Sequence, residues 1–389
     1  MKKNISVIAL VCAITIILTS CSTLLDMVGS MTDPNKQKYK TSLKLIEEKK
    51  YEEAYEILSS LKGYAPAEAE LENFYLIPIK YVQKSKTNSN SQITYEAEYN
   101  DKDLVTKIIK NSPSESITNS FSYDSNGNVT RYTRELTIGS NNRLIVTENT
   151  FDTGNKLIES VTTFPSGGTE TEEYEYDSNG NVTKISLTST SNGTSFTEYA
   201  YDAAGNVIKE VITSFFGYKT TTERTYDSDG RLAKEIVIYQ QTNQERTIEY
   251  SYNADGKLAE ERYSSITTAG PYAGDGVNYK ITYSYDESGN LTKISHIYDV
   301  NTIDALYTYN DASQPEKIEV LYSYGTSNTY EFEYNKYGAI SRMNTTLDFD
   351  VEIEWKLAYY TNGIPKNIVE LIDTVSYYFY DLKVQPYTR

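Results

Sequence analysis

The sequence predicts a mainly β protein: tandem β-hairpins that form an extended, twisted antiparallel sheet or solenoid, with a small α-helical segment before them. The first observation is a motif, Tyr-Asp-Ser-Asn-Gly-Asn-Val at residues 176–182, which recurs with variations at a period near 25 residues. The second is that aromatic residues alternate with polar ones just before each copy, which is the period of a strand. The third is that tyrosine accounts for 38 of the 389 residues, enough for a continuous aromatic face.

We call the aromatic residue that precedes the acid in each copy the anchor. Asp or Asn follows the anchor in eleven of the twelve copies, and Gly stands four places after it in eight. The Asp side chain can accept hydrogen bonds from the turn backbone, and Gly allows positive φ. Each copy therefore predicts a strand, a tight turn with a bulge, and a second strand. The anchors are Tyr99, Tyr123, Phe151, Tyr176, Tyr201, Tyr226, Tyr252, Tyr285, Tyr309, Tyr334, Tyr359 and Tyr380.

A single hairpin is only marginally stable in water. Hairpins in tandem can pair edge to edge and bury a shared aromatic face, so that each repeat supports its neighbours. The connections between copies vary in length, and the longest interval between two anchors is 33 residues. We expect such connections to be exposed loops, where extra length is tolerated.

The motif Tyr-Asp-x-x-Gly-Asn at this period resembles the YD repeat of Rhs-type proteins, which include large bacterial polymorphic toxins and related shells. The resemblance extends from Tyr95 to about Asp381, and the motif recurs in register. It implies that the repeats coil into an extended, curling antiparallel β-sheet. The copies at Tyr99 and Tyr309 depart from the pattern, because Asp103 and Ser313 stand where Gly is usual.

Residues 1–20 are predicted to be a secretory signal peptide, with two lysines, an apolar stretch over 5–18, and Leu-Thr-Ser directly before Cys21. This pattern resembles the bacterial lipobox, in which the cysteine is lipidated and becomes the new N-terminus. The resemblance implies a lipid on Cys21, followed by a polar tether over residues 21–36. The other interpretation is a plain transmembrane anchor, for which the apolar stretch is short.

Residues 37–83 show helical periodicity and predict three helices, the third running from Ala65 to about Val82, with Pro78 kinking it or ending it early. The first two resemble a tetratricopeptide helix pair. The segment either caps the first edge of the repeat sheet or binds a partner. A polar linker is predicted at 84–92, and the repeats at 93–389.

The composition argues against several classes of function. The net charge is −17, which disfavours nucleic acid as a partner. The chain has a single histidine, His296, and lacks the common sequence motifs of nucleophilic, phosphate-binding and zinc-dependent catalysis. We therefore predict no catalytic residues, no cofactor and no enzymatic activity.

A metal site is also not predicted, although Asp177-Ser-Asn-Gly-Asn resembles the start of a calcium loop. Such a loop needs a bidentate Glu at its twelfth position. With Asp177 counted as the first residue, the twelfth is Thr188. An aspartate that caps its own turn accounts for the residue without a metal.

The paired tyrosines before the turns are the candidate ligand surface, because flat aromatic faces can stack on sugar rings. The alternative is that they only join neighbouring hairpins through cross-strand aromatic pairs. The candidate residues are Tyr174, Tyr176, Tyr199, Tyr201, Tyr250, Tyr252, Tyr283 and Tyr285.

These observations predict a non-enzymatic lipoprotein of the bacterial cell envelope, at the outer membrane or the cell surface. We expect it to be attached to the membrane through its N-terminal lipid and to bind a glycan or a protein partner through its repeat sheet. The alternative is a purely structural scaffold, a remnant of an Rhs-related shell whose sheet wraps another polypeptide.

Overall fold

A computed structural model describes residues 33–359, except 89, 271–273 and 275. By internal contacts the described chain divides into two units, one formed by residues 33–77 with 355–359 and the other by residues 78–354. In these ranges no helix has both the length and the apolar character needed to span a membrane. The predicted signal peptide, Cys21 and the anchor Tyr380 lie outside the described residues.

The first unit contains three helices: α1 (Pro34–Glu47), α2 (Tyr51–Ser59) and α3 (Ala65–Leu71). The first begins at Pro34 rather than at residue 37, because the Asp33 carboxylate accepts the N–H of Asn35 at 2.9 Å and Pro34 suits the first turn. The apolar side of the second helix supplies core residues, among them Ala54 and Leu58, which are at most 1% exposed. Helix–helix packing around such residues holds the unit together.

The third predicted helix is wrong beyond Leu71, since Phe74–Ser85 is a β-strand. This segment is rich in aromatic and β-branched residues, which favour strands. Pro78 does not kink a helix there; its carbonyl accepts the hydroxyl of Tyr99 at 2.7 Å. The predicted linker at 84–92 is likewise a short hairpin turn with strand residues at both ends.

In the described part of the chain twenty-two strands follow one another, and they agree with the predicted mainly β, antiparallel class. Their bounds are β1 Phe74–Ser85, β2 Gln92–Tyr99, β3 Val105–Asn111, β4 Ser116–Tyr123, β5 Val129–Ile138, β6 Asn141–Phe151, β7 Leu157–Thr163, β8 Thr169–Tyr176, β9 Val182–Ser189, β10 Gly193–Tyr201, β11 Val207–Thr213, β12 Lys219–Tyr226, β13 Leu232–Tyr239, β14 Gln244–Tyr252, β15 Leu258–Thr267, β16 Gly276–Tyr285, β17 Leu291–Ile297, β18 Thr302–Tyr309, β19 Pro315–Tyr322, β20 Ser327–Tyr334, β21 Ile340–Thr345 and β22 Phe349–Tyr359.

Each strand pairs antiparallel with the next along the chain, and β1 pairs in addition with β22. The sheet is therefore closed. The prediction of an open twisted sheet or a solenoid was wrong on this point. Periodicity in a sequence shows that neighbouring hairpins pair, but it does not show whether the first and last strands meet.

Ten of the hairpins contain the repeat motif, and their turns are built alike. In each, the N–H of the Asp or Asn after the anchor donates to the carbonyl four residues on, as from Asp177 to Asn181 at 2.9 Å. The Asp177 carboxylate also accepts the N–H groups of Asn179 and Asn181. These hydrogen bonds, led by those from Asn181, lower the pKa of Asp177. The predicted turn chemistry is thus present.

The same ten hairpins each contain a β-bulge at the second residue of the outgoing strand. For example, Tyr176 pairs with Val182 and Glu175 pairs with Lys184, so that Thr183 is the extra residue. A bulge bends its strand and increases the local twist. Ten equivalent bends in one direction give a physical reason for the curvature that closure requires.

Polar contacts join the two ends of the closed sheet in the second unit, and we call these contacts the seam. Lys84 Nζ lies 2.5 Å from Glu352 Oε2, and Lys86 Nζ lies 3.0 Å from Asp350 Oδ1. The N–H of Lys86 donates to the carbonyl of Asp348 at 2.9 Å. Residues more than 260 positions apart are thereby held together, a contact that no local sequence pattern predicts.

We expect acid to weaken the seam. Hydrogen bonds from Thr87 and Ser85 lower the pKa of Asp348, and Lys84 with Arg342 lowers that of Glu352. A carboxyl whose folded pKa is depressed stabilises the fold above its unfolded pKa, about 4, and this contribution is lost as pH falls through the folded value.

The seam prediction is tested with an Asp348→Asn/Glu352→Gln double variant. Its melting temperature should lie below that of the wild type at pH 6, and the difference should shrink as the pH is lowered to 3. The control is Glu223→Gln, which removes an exposed ion pair with Lys209 elsewhere on the sheet. Equal differences at both pH values would contradict the prediction.

The fourth residue after the anchor has positive φ in all ten turns, including the three that lack glycine, namely Asp103, Asn155 and Ser313. A Cβ at Gly205 would meet no atom within 4 Å, so any loss there comes from the backbone alone. We expect Gly205→Val to cost about 1–2 kcal/mol of unfolding free energy, and Gly205→Asn less. Denaturant melts of both variants test this, and Ser313→Gly should stabilise. Equal losses for Val and Asn would contradict the backbone explanation.

Candidate functional site

The anchor hydroxyls have a shared structural role. In nine copies the hydroxyl donates to a backbone carbonyl, and in eight of these the acceptor is the first residue of the outgoing strand of the preceding copy. The hydroxyl–carbonyl pairs are Tyr99 with Pro78, Tyr123 with Val105, Tyr176 with Leu157, Tyr201 with Val182, Tyr226 with Val207, Tyr252 with Leu232, Tyr285 with Leu258, Tyr309 with Leu291 and Tyr334 with Pro315.

The copy whose anchor is Phe151 has no anchor hydroxyl to donate. In this copy the side-chain amide Nδ2 of Asn149 donates to the carbonyl of Val129 instead, at 2.9 Å. Val129 is the first residue of β5, so it is the acceptor that the repeat geometry assigns to this copy. The equivalent carbonyl therefore has a side-chain donor in each of the nine copies from Tyr123 to Tyr334, which indicates that this hydrogen bond holds adjacent repeats together.

This role separates the eight predicted ligand tyrosines into two groups. Tyr176, Tyr201, Tyr252 and Tyr285 are anchors whose hydroxyls are occupied by the backbone. Burial is the main reason that their pKa values are raised. These four are therefore explained by the structure of the repeat itself.

The other four lie two residues before an anchor, on the same face of the sheet, which we call the tyrosine face. Tyr174 donates to Glu172 at 2.6 Å, and Tyr283 donates to Glu261 at 2.5 Å. Burial, together with the nearby carboxylates Glu235 and Glu261, raises the pKa of Tyr250 to about 12. These tyrosines meet carboxylates rather than the backbone, so the sheet surrounds them with polar groups.

Ion pairs connect several of these carboxylates in a row across the tyrosine face. Arg224 lies 3.5 Å from Glu210 and 3.0 Å from Glu235, and Arg246 lies 3.6 Å from Glu235. Tyr199 is hydrogen-bonded to Glu210 at one end of the row. Together with Glu261, which accepts from Tyr263 and Tyr283, these groups form what we call the polar row. It crosses seven adjacent strands, from β10 to β16.

The polar row marks three consecutive copies as different from the others. The residue nine places after the anchor is Glu210, Glu235 and Glu261 in the copies at Tyr201, Tyr226 and Tyr252. In the remaining seven described copies the equivalent residues carry no charge: Ile108, Tyr132, Ser160, Ile185, Ile294, Ile318 and Met343. Aligning the copies position by position would have revealed this signal, which the sequence analysis missed.

Three tyrosines adjoin the row and form an aromatic platform. Tyr263 and Tyr279 lie directly opposite each other on β15 and β16, with ring centroids 4.4 Å apart and planes at 7°. Tyr298, just after β17, lies 5.2 Å from Tyr279 and is 40% exposed. None of the three was among the predicted ligand tyrosines: Tyr263 lies in an outgoing strand, Tyr298 in a connection, and Tyr279 six residues before its anchor rather than in the tyrosine pair next to the turn.

A groove of about 490 Å³ lies at this part of the sheet. The three platform tyrosines are part of its lining, but most of the lining, including Arg262, Lys280 and Asn278, alternates with them along the strands and therefore lies on the opposite face of the sheet. In the described part of the chain, the hydroxyl of Tyr279 has no hydrogen-bond partner. On the tyrosine face, the paired rings and an unengaged hydroxyl beside the polar row make the platform the best candidate for a ligand site.

The residues weighed for metal binding and catalysis do not form a site. The oxygens of Asp177 are engaged by its own turn, as described above. Nowhere in 33–359, apart from the five omitted positions, do three carboxylate, histidine or cysteine side chains converge to hold a metal ion. His296 is half-buried on β17, opposite Ile281.

Comparison with known families identifies part of the repeat region. Residues 176–214 match the family described as RHS Repeat. The resemblance drawn from the Tyr-Asp motif is therefore confirmed over this stretch, which contains the copies at Tyr176 and Tyr201. No curated protein matches the chain.

Solved structures of low similarity cover most of the chain. A porin-like protein from Bacteroides uniformis has 13% identity over 72% of this chain and 98% of its own, with a TM-score of 0.24. A porin-like protein from Bacteroides vulgatus has 12% identity, the same coverage and the same TM-score. The periplasmic gluconolactonase of Pseudomonas aeruginosa has 9% identity over 73% and 99%, with a TM-score of 0.12. Scores this low establish neither a shared fold nor a shared function.

Proposed function

We propose that the protein is a non-enzymatic component of the bacterial cell envelope or cell surface that binds a glycan or a protein partner through the tyrosine face of its repeats. In this proposal a lipid on Cys21 attaches it to the membrane, at the outer membrane or the cell surface. The supporting observation is the aromatic platform of Tyr263, Tyr279 and Tyr298 beside the polar row.

The platform has the properties that sugar recognition requires. Its first two rings are stacked nearly parallel, with centroids 4.4 Å apart, and the third is 40% exposed. Flat aromatic faces can cover the C–H faces of a pyranose ring, and adjacent carboxylates and guanidinium groups can hydrogen-bond its hydroxyls. The Arg246 Nε is a donor without a partner among the described residues. A glycan is therefore the partner that this arrangement favours over a protein.

The test is a glycan array probed with the full chain and with Tyr279→Ala. We expect the substitution to weaken binding at least about fivefold, since an aromatic contact of this kind contributes on the order of 1 kcal/mol. The matched control is Tyr132→Ala, which removes another paired ring of the tyrosine face, 5.3 Å from Phe121 and far along the sheet. Equal losses in the two variants would contradict a local site at the platform.

A second candidate function is a structural scaffold that wraps another polypeptide. The observation in its favour is that most anchor hydroxyls are engaged by the backbone, so that much of the tyrosine content serves the sheet. A scaffold predicts no bound glycan on the array and one defined polypeptide that co-purifies with the chain from the native envelope. That polypeptide should remain bound to the Tyr279→Ala variant.

The membrane attachment is a separate prediction. Mass spectrometry of the mature protein should show an N-terminal cysteine, Cys21, that carries two or three acyl chains. Retention of residues 12–17 in the mature protein would contradict cleavage at this site. This result does not depend on which partner the repeats bind.

A further inference from the structure

We infer that one end of the strands touches a lipid bilayer, through apolar side chains at the tips of the connections between repeats. This inference rests on the proposed function in one respect only, namely that the protein is at a membrane. It adds a direct contact between the folded chain and lipid, separate from the lipid on Cys21 and from glycan binding.

The second unit has two distinct ends, because antiparallel pairing of each strand with the next places successive turns alternately at opposite ends of the strands. One end, which we call the turn rim, consists of the ten repeat turns at 100–104, 124–128, 152–156, 177–181, 202–206, 227–231, 253–257, 286–290, 310–314 and 335–339. At the other end, eight connections form what we call the connection rim: 139–140, 164–168, 190–192, 214–218, 240–243, 268–275, 298–301 and 323–326.

The two rims differ in charge. The sequences of the ten repeat turns contain twelve acidic and five basic residues, and nine of the ten turns contain an acid. The sequences of the eight connections contain only two charged residues, Asp275 and Asp299. The chain has a net charge of −17, and bacterial lipid surfaces are commonly anionic. The connection rim is therefore the end that can approach lipid with the least electrostatic repulsion.

The connection rim also holds the most exposed apolar side chains. Among the large hydrophobic residues that the structure describes, the four highest exposures are those of Val300 (86%), Phe216 (84%), Tyr324 (73%) and Val277 (62%). The first three lie in connections, and Val277 is the second residue of β16, next to a connection. The described repeat turns contain no exposed large hydrophobic side chain. The second unit is thus apolar at one end of its strands and acidic at the other.

The fold does not require these apolar tips. The connections 164–168 and 214–218 have the same turn, in which the N–H of Gly167 donates to Phe164 at 2.9 Å and that of Gly217 donates to Ser214 at 2.8 Å. Ser166 stands in the first turn where Phe216 stands in the second. A phenylalanine that stays in water contributes no burial to the fold. Its presence at a tip indicates a contact outside the chain.

The spacing of the tips favours lipid over a folded partner. Successive connections lie two strands apart, about 10 Å given the usual strand spacing. The polar connection 240–243 separates Phe216 from the other three tips. A protein interface buries a continuous complementary patch, whereas a fluid bilayer can take up each tip on its own. Aromatic rings such as those of Phe216 and Tyr324 are also well suited to the boundary between headgroups and acyl chains.

The experiment uses single tryptophans as reporters of contact with lipid. The mature protein, with the N-terminus that it has in the native envelope, is placed on phosphatidylcholine vesicles whose acyl chains are brominated near the headgroup, because bromine quenches tryptophan fluorescence at contact. The reporters are Phe216→Trp and Tyr324→Trp, which replace exposed rings and so disturb little packing. The matched control is Ser178→Trp, in an exposed turn of the turn rim. The signal of Trp355, the only tryptophan of the chain, is subtracted.

Interfacial insertion buries apolar groups about 5–10 Å into the headgroup boundary, so the emission of both reporters should fall by at least about half. The emission of Ser178→Trp should not change. Adding phosphatidylglycerol to the vesicles should not strengthen the quenching, because the connection rim offers the anionic headgroup no cation. A contact that forms only with phosphatidylglycerol would overturn the inference.

A polar variant tests whether the apolar tips cause the contact. Combining Phe216→Ser and Val300→Asn with the Tyr324→Trp reporter should reduce its quenching at least about threefold, because less apolar surface leaves water. Serine is the residue that the equivalent turn has at position 166, so the fold should be retained, and circular dichroism checks this. Gln241→Ser, a polar exchange on the same rim, should leave the quenching unchanged.

The outcomes separate the inference from the proposed function. Equal quenching at both rims, or none at either rim while the protein floats with the vesicles, would overturn the inference and leave attachment through Cys21 intact. Unquenched reporters together with a dimer in sedimentation would show that a second copy covers the rim, and would also overturn it. If the mature protein has no acyl chain, the proposed attachment fails, but quenching of both reporters on added vesicles would still support the inference.

Discussion

Replacing Ile318 by Ala should destabilise the protein by about 2–5 kcal/mol, the usual range when a fully buried isoleucine is truncated. Ile318 is the residue nine places after the anchor Tyr309, and it is 0% exposed. It lies directly opposite Tyr307 on one neighbouring strand and Tyr330 on the other. Denaturant unfolding followed by circular dichroism measures the change.

The chain supplies a matched control at the equivalent position of another copy. Ile185 lies nine places after Tyr176 and opposite Tyr174, but it is only partly buried. Its replacement by Ala removes less apolar surface from contact and should cost about 1–2 kcal/mol. Equal losses at the two positions would show that the copies are energetically equivalent, contrary to what the structure indicates.

Replacing Asn149 by Ala should cost about 1–2 kcal/mol, the penalty for leaving a part-buried carbonyl without its donor. The carbonyl is that of Val129, which no anchor hydroxyl reaches because the anchor of this copy is Phe151. Tyr201→Phe should produce a similar loss, since it removes the corresponding bond to Val182. Thermal and denaturant melts compare the two variants.

The decisive measurement is a rescue. Adding Phe151→Tyr to the Asn149→Ala variant restores the hydroxyl that the other copies have, and it should recover most of the lost stability. Phe151→Tyr alone should have little effect, because Asn149 already occupies the carbonyl. A failure of the rescue, with the single variant still folded, would contradict the assignment of one shared hydrogen bond to the nine copies from Tyr123 to Tyr334.

The candidate site was predictable only in part. Tyr174, Tyr199, Tyr250 and Tyr283 were predicted from the sequence, and in the structure all four lie on one face beside carboxylates. The platform was not predicted, because a cross-strand pair such as Tyr263 and Tyr279 depends on register across a long connection. The polar row was within reach of the sequence, since it shows as Glu at one position of three consecutive copies. Whether these groups bind a glycan remains a prediction.

The sequence by itself determined the repeating unit. Asp after the anchor and a small or polar residue three places later are enough to specify the turn, because the bonds that form it lie within five residues. The alternation of aromatic residues specified which face each strand shares with its neighbours. Even the degenerate copies with Asp103 and Ser313 adopt the same turn with positive φ, so the local pattern was sufficient without glycine.

Only the tertiary structure decided closure, burial and the secondary structure of the segment before the repeats. Closure depends on contacts such as Lys84 with Glu352, whose residues are far apart in sequence, and on bends that accumulate over ten bulges. Ile318 and Ile185 occupy the same position of the motif but differ in burial, because the burial of a side chain depends on which other residues pack over it. Phe74–Ser85 is a strand because its backbone can form hydrogen bonds with two neighbouring strands, β2 and β22. Local periodicity contains no information about those partners.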